Sequence, residues 1–207
     1  VTKFVSEKEI LELIRLGERL IGENRVQDAR VKSNKLTAYK VDWHLIGHLQ
    51  RNKVKQALEV FNFVHSVDSL RLAQEISKRS VEQSKVIPIL LEVNVSGEES
   101  KHGISVNSKR ATSQNNQTES DLIQIALQVS QLPGIKLKGL MTMAPWVDDS
   151  ELVRPVFRRL REMRDEINQE LLLPIPLNEL SMGMTNDYQV AIEEGATYVR
   201  IGSAIFR

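Results

Sequence analysis

Short β-rich runs alternate with amphipathic helical patterns along nearly all of this 207-residue chain. Counting them predicts eight strands separated by seven helices, with an eighth helix expected beyond residue 207. Strict alternation is typical of parallel sheets with helical crossovers, and eight strands close such a sheet into a (β/α)8 TIM barrel. A doubly wound open sheet is the alternative, because one miscounted strand changes the architecture.

The predicted strands are 1–5, 20–24, 42–47, 63–67, 86–95, 135–144, 177–183 and 197–206. A first helix is predicted after Ser6, and the others at 26–33, 50–58, 69–83, 121–131, 150–171 and 186–194. Ser6 and Glu9 have capping-box spacing, and Asp68 is a candidate cap for the helix at 69–83. Pro155 fits a helix at 150–171 only in its first turn. The run 86–95 is almost continuously apolar, which indicates a strand buried on both faces.

A polar segment at 105–120 (SVNSKRATSQNNQTES) interrupts the alternation. It has no periodicity and is rich in Ser, Thr, Asn and Gln, which predicts a solvated, mobile loop. The chain otherwise reads as one domain over 1–207. It opens on VTKFV without Met and stops after the eighth strand, so we expect truncation at both ends.

Composition excludes several classes of protein. Hydrophobic residues make up 41% and charged residues 27%, which is ordinary for a globular domain. Lys plus Arg number 28 and Asp plus Glu 27, and this balance argues against binding to nucleic acid or a membrane surface. The absence of cysteine excludes disulfides, thiolate metal sites and a cysteine nucleophile. Without a signal peptide or a spanning apolar run, we expect a cytoplasmic protein, and a lone barrel is compatible with a monomer.

In a barrel, functional residues gather where the strands end. The residues predicted at those ends are polar or small, apart from Met143 and the methionines of the seventh-strand turn. They are Lys3, Asn24, His48, Ser66, Asn94, Met143, Ser181, Met182, Gly183, Met184, Thr185, Arg200, Gly202 and Ser203.

Lys3 stands among Val1, Phe4 and Val5, which is an unusual setting for a solvated lysine. Burial in an apolar pocket lowers the pKa of a lysine, and the free amine can then attack a carbonyl to form a Schiff base. A chain-end lysine in solvent is the commoner alternative for such a residue taken alone.

Two turns suit a phosphate. The runs SMGMT (181–185) and IGS (201–203) follow the seventh and eighth predicted strands, where barrels commonly bind phosphate. Small residues let backbone N–H groups converge, hydroxyls donate, and a helix beginning near Asn186 adds its dipole. Ordinary turn chemistry is the alternative.

The histidines do not predict a metal site. His44 and His48 are four residues apart, but a strand does not bring residues at that spacing together, and no Glu-x-x partner accompanies them. His48 could still border a ligand at the strand end. His65 and His102 show no signal that separates a functional from a structural use.

Seven runs, in order, resemble the pyridoxal phosphate homeostasis protein family, small single-barrel proteins that bind pyridoxal 5'-phosphate (PLP). The resemblance covers nearly the whole chain and extends to the barrel of alanine racemase (PLP fold type III). The runs are GENRVQ (22–27), WHLIGHLQ (43–50), HSVDS (65–69), GEESKHG (97–103), GLMTMAP (139–145), SMGMTND (181–187) and RIGSA (200–204).

The resemblance implies PLP as cofactor, carried as a Schiff base on Lys3, because Val1-Thr2-Lys3 is similar to the family's Val-Ser-Lys. It also implies that Arg200 faces the pyridine nitrogen. The Pro that usually follows the lysine is absent, and the loop after Gly103 is longer than usual. The implied PLP contacts are Lys3, Asn24, His48, Met143, Ser181, Gly183, Met184, Thr185, Arg200, Gly202 and Ser203.

The function that the resemblance implies is PLP binding in vitamin B6 and amino-acid homeostasis, without a dedicated reaction. PLP-dependent acceptor enzymes or a regulatory protein would be the partners. A low-activity PLP-dependent amino-acid racemase is one alternative, and a phosphate-handling aldolase using Lys3 is another. An efficient racemase is not expected, because one barrel leaves no room for the domain that delivers the second base.

Overall fold

The computed structural model describes residues 1–98, 101–106, 119–173 and 175–206. Its strands are β1 (Leu20–Glu23), β2 (Asp42–Leu45), β3 (Phe63–Val67), β4 (Ile87–Asn94), β5 (Ile104–Ser105), β6 (Ile135–Met141), β7 (Glu179–Met184) and β8 (Tyr198–Arg200). Its α-helices are α1 (Glu7–Arg15), α2 (Val26–Lys35), α3 (Val54–Ala57), α4 (Leu70–Glu82), α5 (Glu119–Ser130), α6 (Arg154–Leu171), α7 (Tyr188–Glu193) and α8 (Ser203–Phe206). Short 3-10 turns, Arg51–Lys53 and Ser150–Val153, lead into α3 and α6.

The strand pairs are parallel, in the order β1-β2-β3-β4-β6-β7-β8, and β5 lies off this path and pairs with β4. The first two residues bridge the remaining gap between β1 and β8. The Thr2 N–H donates to the Gly22 carbonyl at 3.0 Å, and the Val1 nitrogen donates to the Ile201 carbonyl at 2.5 Å. These bonds nearly close the sheet, and the predicted (β/α)8 barrel is confirmed.

The predicted strand at 1–5 is wrong: none of these residues is in a strand, although Thr2 makes one backbone hydrogen bond to β1. The Val5 N–H donates back to the Thr2 carbonyl at 3.1 Å, so the chain turns at Lys3 and Phe4 and enters α1. The capping box at the start of α1 is confirmed: the Ser6 hydroxyl accepts from the Glu9 N–H, and the Glu9 carboxylate accepts from the Ser6 N–H.

The predicted eighth strand, 197–206, is too long. Strand β8 ends at Arg200, and α8 begins at Ser203, so a helical turn follows within the chain. Of the predicted loop at 105–120, Ser105 instead ends β5 and Glu119 begins α5. The prediction of mobility for 107–118 lies outside the described residues.

Local capping also corrects one prediction. The Ser69 hydroxyl, not Asp68, caps α4 by accepting from the Leu72 N–H at 3.3 Å. Pro155 lies in the first turn of α6, as predicted.

The core lies between the sheet and the helices around it. Strand β4 is buried almost throughout, as its continuous apolar run predicts. Helix α6 buries Phe157, Leu160, Met163 and Ile167 on one face, at the spacing of an amphipathic helix. Within the described ranges, none of the helices combines the length and apolar character that crossing a membrane requires.

Candidate functional site

The two predicted phosphate turns meet at one end of the barrel. The Ser203 hydroxyl donates to the Thr185 hydroxyl at 3.2 Å, joining the chain after β8 to the chain after β7. A cavity of about 330 Å³, here called the turn cavity, opens beside them. Five predicted site residues line it: Met184, Thr185, Arg200, Gly202 and Ser203.

The backbone of the first turn is organised differently from the prediction. The Met184 N–H donates to Asp187 Oδ1 at 2.5 Å, so this donor is already engaged. Helix α7 begins at Tyr188, two residues later than expected. Gly183 has φ +88°, and a Cβ there would lie 2.5 Å from the Ala191 Cβ, so it packs against α7 rather than lining the cavity.

Lys3 is beside these turns but is not buried. A second cavity of about 360 Å³, the lysine cavity, is lined by Lys3 and shares Val1, Gly202 and Ser203 with the turn cavity. The Lys3 side chain is exposed, and its Nζ lies 4.8 Å from the centroid of the Phe4 ring, itself 90% exposed. The predicted apolar burial of Lys3 is therefore wrong in this structure, although its position near the turns stands.

A buried ion pair anchors the residue before Lys3. Thr2 and Glu23 are fully buried, and the Thr2 hydroxyl donates to Glu23 Oε1 at 2.6 Å. Lys32 Nζ, from α2, donates to the same oxygen and to the Thr2 carbonyl, each at 2.6 Å. Sequence analysis missed this group, because only the barrel brings the three residues together.

Arg200 lies inside the barrel mouth, 8% exposed. Its guanidinium donates to the Ser181 hydroxyl and to the Thr142 carbonyl, both at 2.8 Å. Burial lowers the pKa of Arg200 to about 10, against the opposing effect of Glu92 and Asp187. A buried cation with fixed hydrogen bonds is held in one orientation.

Two histidines extend the hydrogen bonds from Arg200 across the barrel. His65 contacts the Ser181 hydroxyl through Nδ1 and His44 Nδ1 through its Nε2, each at 2.9 Å. Burial lowers the pKa of both histidines, and that of His65 falls well below its usual value. Ser181 thus belongs to this buried chain of hydrogen bonds and does not line the turn cavity.

The other predicted contacts lie apart from both cavities. Met143 packs against Phe63, Leu90 and Met141. The Asn24 backbone lies against Gly47, where a Cβ would be 2.3 Å from the Asn24 carbonyl oxygen. His48 is exposed at the rim, where it contacts Asp68 and His102.

Glu92 is a buried carboxyl that sequence analysis did not single out. Burial and the nearby Asp68 raise its pKa to about 7, while Arg200 acts in the opposite direction. The charge of Glu92 is therefore sensitive both to Arg200 and to Asp68.

Residues 8–207 match the family model of the alanine racemase N-terminal domain. A pyridoxal phosphate homeostasis protein of Aquifex aeolicus is 42% identical over 205 residues, which are 99% of this chain and 83% of that protein. The structure of PipY from Synechococcus elongatus without PLP is 34% identical, with a TM-score of 0.88 over 100% of this chain and 90% of that one. The PipY structure with PLP bound has a TM-score of 0.82 at 32% identity, with the same coverage.

An alanine racemase of Clostridium difficile shares the fold, with a TM-score of 0.72 at 12% identity over 96% of this chain and 47% of that one. Sequence identity above 30% over the whole chain, together with the shared barrel fold, is sufficient to assign the family. The chain belongs to the pyridoxal phosphate homeostasis protein family.

Proposed function

We propose that this chain is a single PLP-binding domain that acts in vitamin B6 and amino-acid homeostasis and has no dedicated reaction of its own. The observation that carries the proposal is the hydrogen bond between Thr185 and Ser203 beside the turn cavity, which shares lining residues with the lysine cavity. Relatives named pyridoxal phosphate homeostasis protein, and PipY solved with PLP bound, support it.

The residues present fit the chemical parts of PLP. The hydroxyls of Thr185 and Ser203 suit the phosphate, which barrels of this class commonly bind after their seventh and eighth strands. Gly202 lets the chain pass close to Val1 beside these hydroxyls, since a Cβ would lie 3.2 Å from the Val1 carbonyl oxygen. Lys3 supplies the amine for covalent attachment, and PLP, when bound, supplies an aldehyde and an electron-withdrawing ring.

Arg200 would determine the behaviour of the ring. A guanidinium only donates hydrogen bonds and stays charged, so it keeps a facing pyridine nitrogen unprotonated. Its contacts with Ser181 and Thr142 hold it in place for that role. A ring paired with arginine is a weaker electron sink than one paired with a carboxylate, and this would slow racemisation further.

The tyrosines argue against efficient racemisation, which needs a base on each face of the substrate. Among the described residues, no tyrosine lines either the turn cavity or the lysine cavity. Tyr188 begins α7, and Tyr198 packs against Phe63 and His65 inside the barrel. A missing acid–base group costs roughly 10²–10⁴-fold in rate.

Borohydride reduction of the PLP-loaded protein, followed by peptide mass spectrometry, tests the attachment. We expect one pyridoxyl phosphate group on a peptide containing Lys3 and none in Lys3→Ala. Lys101→Ala is the matched control and should keep the label, because Lys101 is paired with Glu98 at 2.7 Å. A label on Lys101 or Lys138 would overturn the assignment.

Incubation of the loaded protein with L-alanine in deuterated water tests the absence of a dedicated reaction. We expect slow background exchange at most. Robust formation of D-alanine that is lost in Lys3→Ala would instead establish the alternative function, a racemase.

We further propose a cytoplasmic monomer that passes PLP to acceptor enzymes or signals to a regulatory protein, without nucleic acid or membrane partners. The near-zero net charge and the absence of cysteine support this picture. Light scattering on the eluting protein should give the mass of one chain, and a dimer mass would contradict it.

A further inference from the structure

A group of side chains at the rim lies outside the turn cavity and the lysine cavity. His48 Nδ1 lies 3.1 Å from Asp68 Oδ2, and the His48 ring stacks on the His102 ring, with centroids 4.1 Å apart. One donor atom from each of the three residues lies within 4.8 Å of the other two. We propose that His48, Asp68 and His102 bind one divalent transition-metal ion, with Zn²⁺ as the best fit.

The fold brings these residues together from three consecutive strands. His48 follows β2, Asp68 follows β3, and His102 lies in the segment after β4. The carboxyl ends of parallel strands meet at one rim of a barrel, so residues far apart in the chain become neighbours there. Barrels of this kind bind their ligands at that end.

The backbone beside His48 is held on two sides. Gly47 lies so close to Asn24 that a Cβ would come within 2.3 Å of the Asn24 carbonyl oxygen. The Gly47 carbonyl accepts from the Ser66 hydroxyl at 2.6 Å. These contacts fix where His48 leaves the sheet, and the Ser66 side chain takes part in them.

The segment carrying His102 is held by Asn94. The Asn94 amide donates to the Glu98 carbonyl at 2.8 Å, and its oxygen accepts from the Gly97 N–H at 3.0 Å. Gly103 has φ +116°, and a Cβ there would lie 2.8 Å from the Asn94 backbone nitrogen. Only glycine allows this approach without strain, so the backbone conformation of the loop fixes the position of the neighbouring His102.

The donor set suits zinc. The two imidazoles are borderline ligands that favour Zn²⁺ or a neighbouring transition metal over Mg²⁺ or Ca²⁺, and a carboxylate is a common third ligand in zinc sites. Bond lengths of about 2.0–2.2 Å put tetrahedral donors about 3.3 Å apart, so the atoms must approach by up to about 1.5 Å. His48 and His102 are exposed and can rotate to do this, while Asp68 is partly buried. Three protein ligands leave a fourth position for water.

Calorimetric titration of the full, tag-free chain with ZnCl₂ tests the site. We expect one ion per chain, and a loss of at least tenfold in affinity in His102→Gln and in Asp68→Asn, since even residues behind a metal ligand contribute 10–100-fold. Asp148→Asn is the matched control, because it removes one exposed carboxylate elsewhere and should bind Zn²⁺ like the parent.

A thermal melt separates lost binding from lost folding. Zn²⁺ should raise the unfolding midpoint of the parent but not of His102→Gln, while the two proteins melt alike in a chelator. His44 and His65 are buried, and the chain has no cysteine, so few other strong ligands compete. Binding that is weak, not stoichiometric, or unchanged in both ligand variants would refute the site, whatever the outcome for PLP.

Discussion

Replacing Lys32 with methionine tests the anchor that holds the start of the chain. Lys32 Nζ is the cationic partner of Glu23, at 2.6 Å, and the Glu23 side chain is fully buried. Glu23 Oε2 already has no hydrogen-bond partner among the described residues. Lys32→Met keeps most of the side-chain volume but leaves the buried Glu23 carboxylate with the Thr2 hydroxyl as its one remaining hydrogen-bond partner within the described ranges.

The expected cost follows from that geometry. Removing one member of a buried ion pair costs about 3–5 kcal/mol, because the remaining charge stays in a medium that solvates it poorly. For a chain of this size, that loss lowers the unfolding midpoint by about 6–20 °C. The double variant Glu23→Gln, Lys32→Met removes both charges and should recover about 2 kcal/mol of the loss.

Urea unfolding followed by circular dichroism measures these free energies. Lys35→Met is the control, because the Lys35–Glu7 pair is exposed, with 59% of the Lys35 side chain accessible, and such pairs contribute less than about 1 kcal/mol. If Lys32→Met costs no more than Lys35→Met, or the double variant is no more stable than Lys32→Met, the reasoning about the buried charge is refuted.

Three further predictions concern the site and the barrel. Gly183→Ala should lose about 1–3 kcal/mol of stability in urea unfolding, because φ is +88° and the new Cβ would lie 2.5 Å from the Ala191 Cβ; an unchanged midpoint would contradict this. Burial raises the pKa of Glu92 from 4.5 to about 7, so the folded protein holds a proton that the unfolded chain has released between those pH values. Stability contributed by Glu92 is therefore lost as pH rises through that window. The free energy of unfolding of Glu92→Gln, compared with that of the parent, should increase by about 3 kcal/mol between pH 4.5 and 8. A difference between the two proteins that does not change with pH would refute this. Ser203→Glu should abolish PLP retention, read from absorbance of the purified protein, because it sets a carboxylate against a dianion, whereas Ser203→Ala should keep most of it; full loading of the glutamate variant would place the phosphate elsewhere.

Local patterns were sufficient to predict most of the barrel. The capping box of Ser6 and Glu9, the buried run of β4 and the position of Pro155 depend on residues within a few positions of one another. The structure confirms these three predictions because each depends only on such local sequence. The ends of the sheet were predicted less well, since Thr2 joins β1 through a single backbone bond that no periodicity reveals.

The candidate site divides in the same way. The turns after β7 and β8 could be recognised as a pair because the order of strands in a barrel makes them neighbours. The exposure of Lys3 could not be predicted, since burial depends on what packs over a residue and not on its apolar neighbours in the chain.

The order of apolar and polar residues along the chain is sufficient to predict the alternation of strands and helices, and with it the barrel and the end at which the candidate site residues lie. Which of those residues contact one another depends on how the elements pack in three dimensions. His65 and Ser181 are 116 positions apart, yet their side chains are 2.9 Å apart. His48, Asp68 and His102 likewise converge at one rim. Hydrophobic periodicity records which face of an element is buried, whereas contact between elements depends on strand order and stagger, which no single segment encodes.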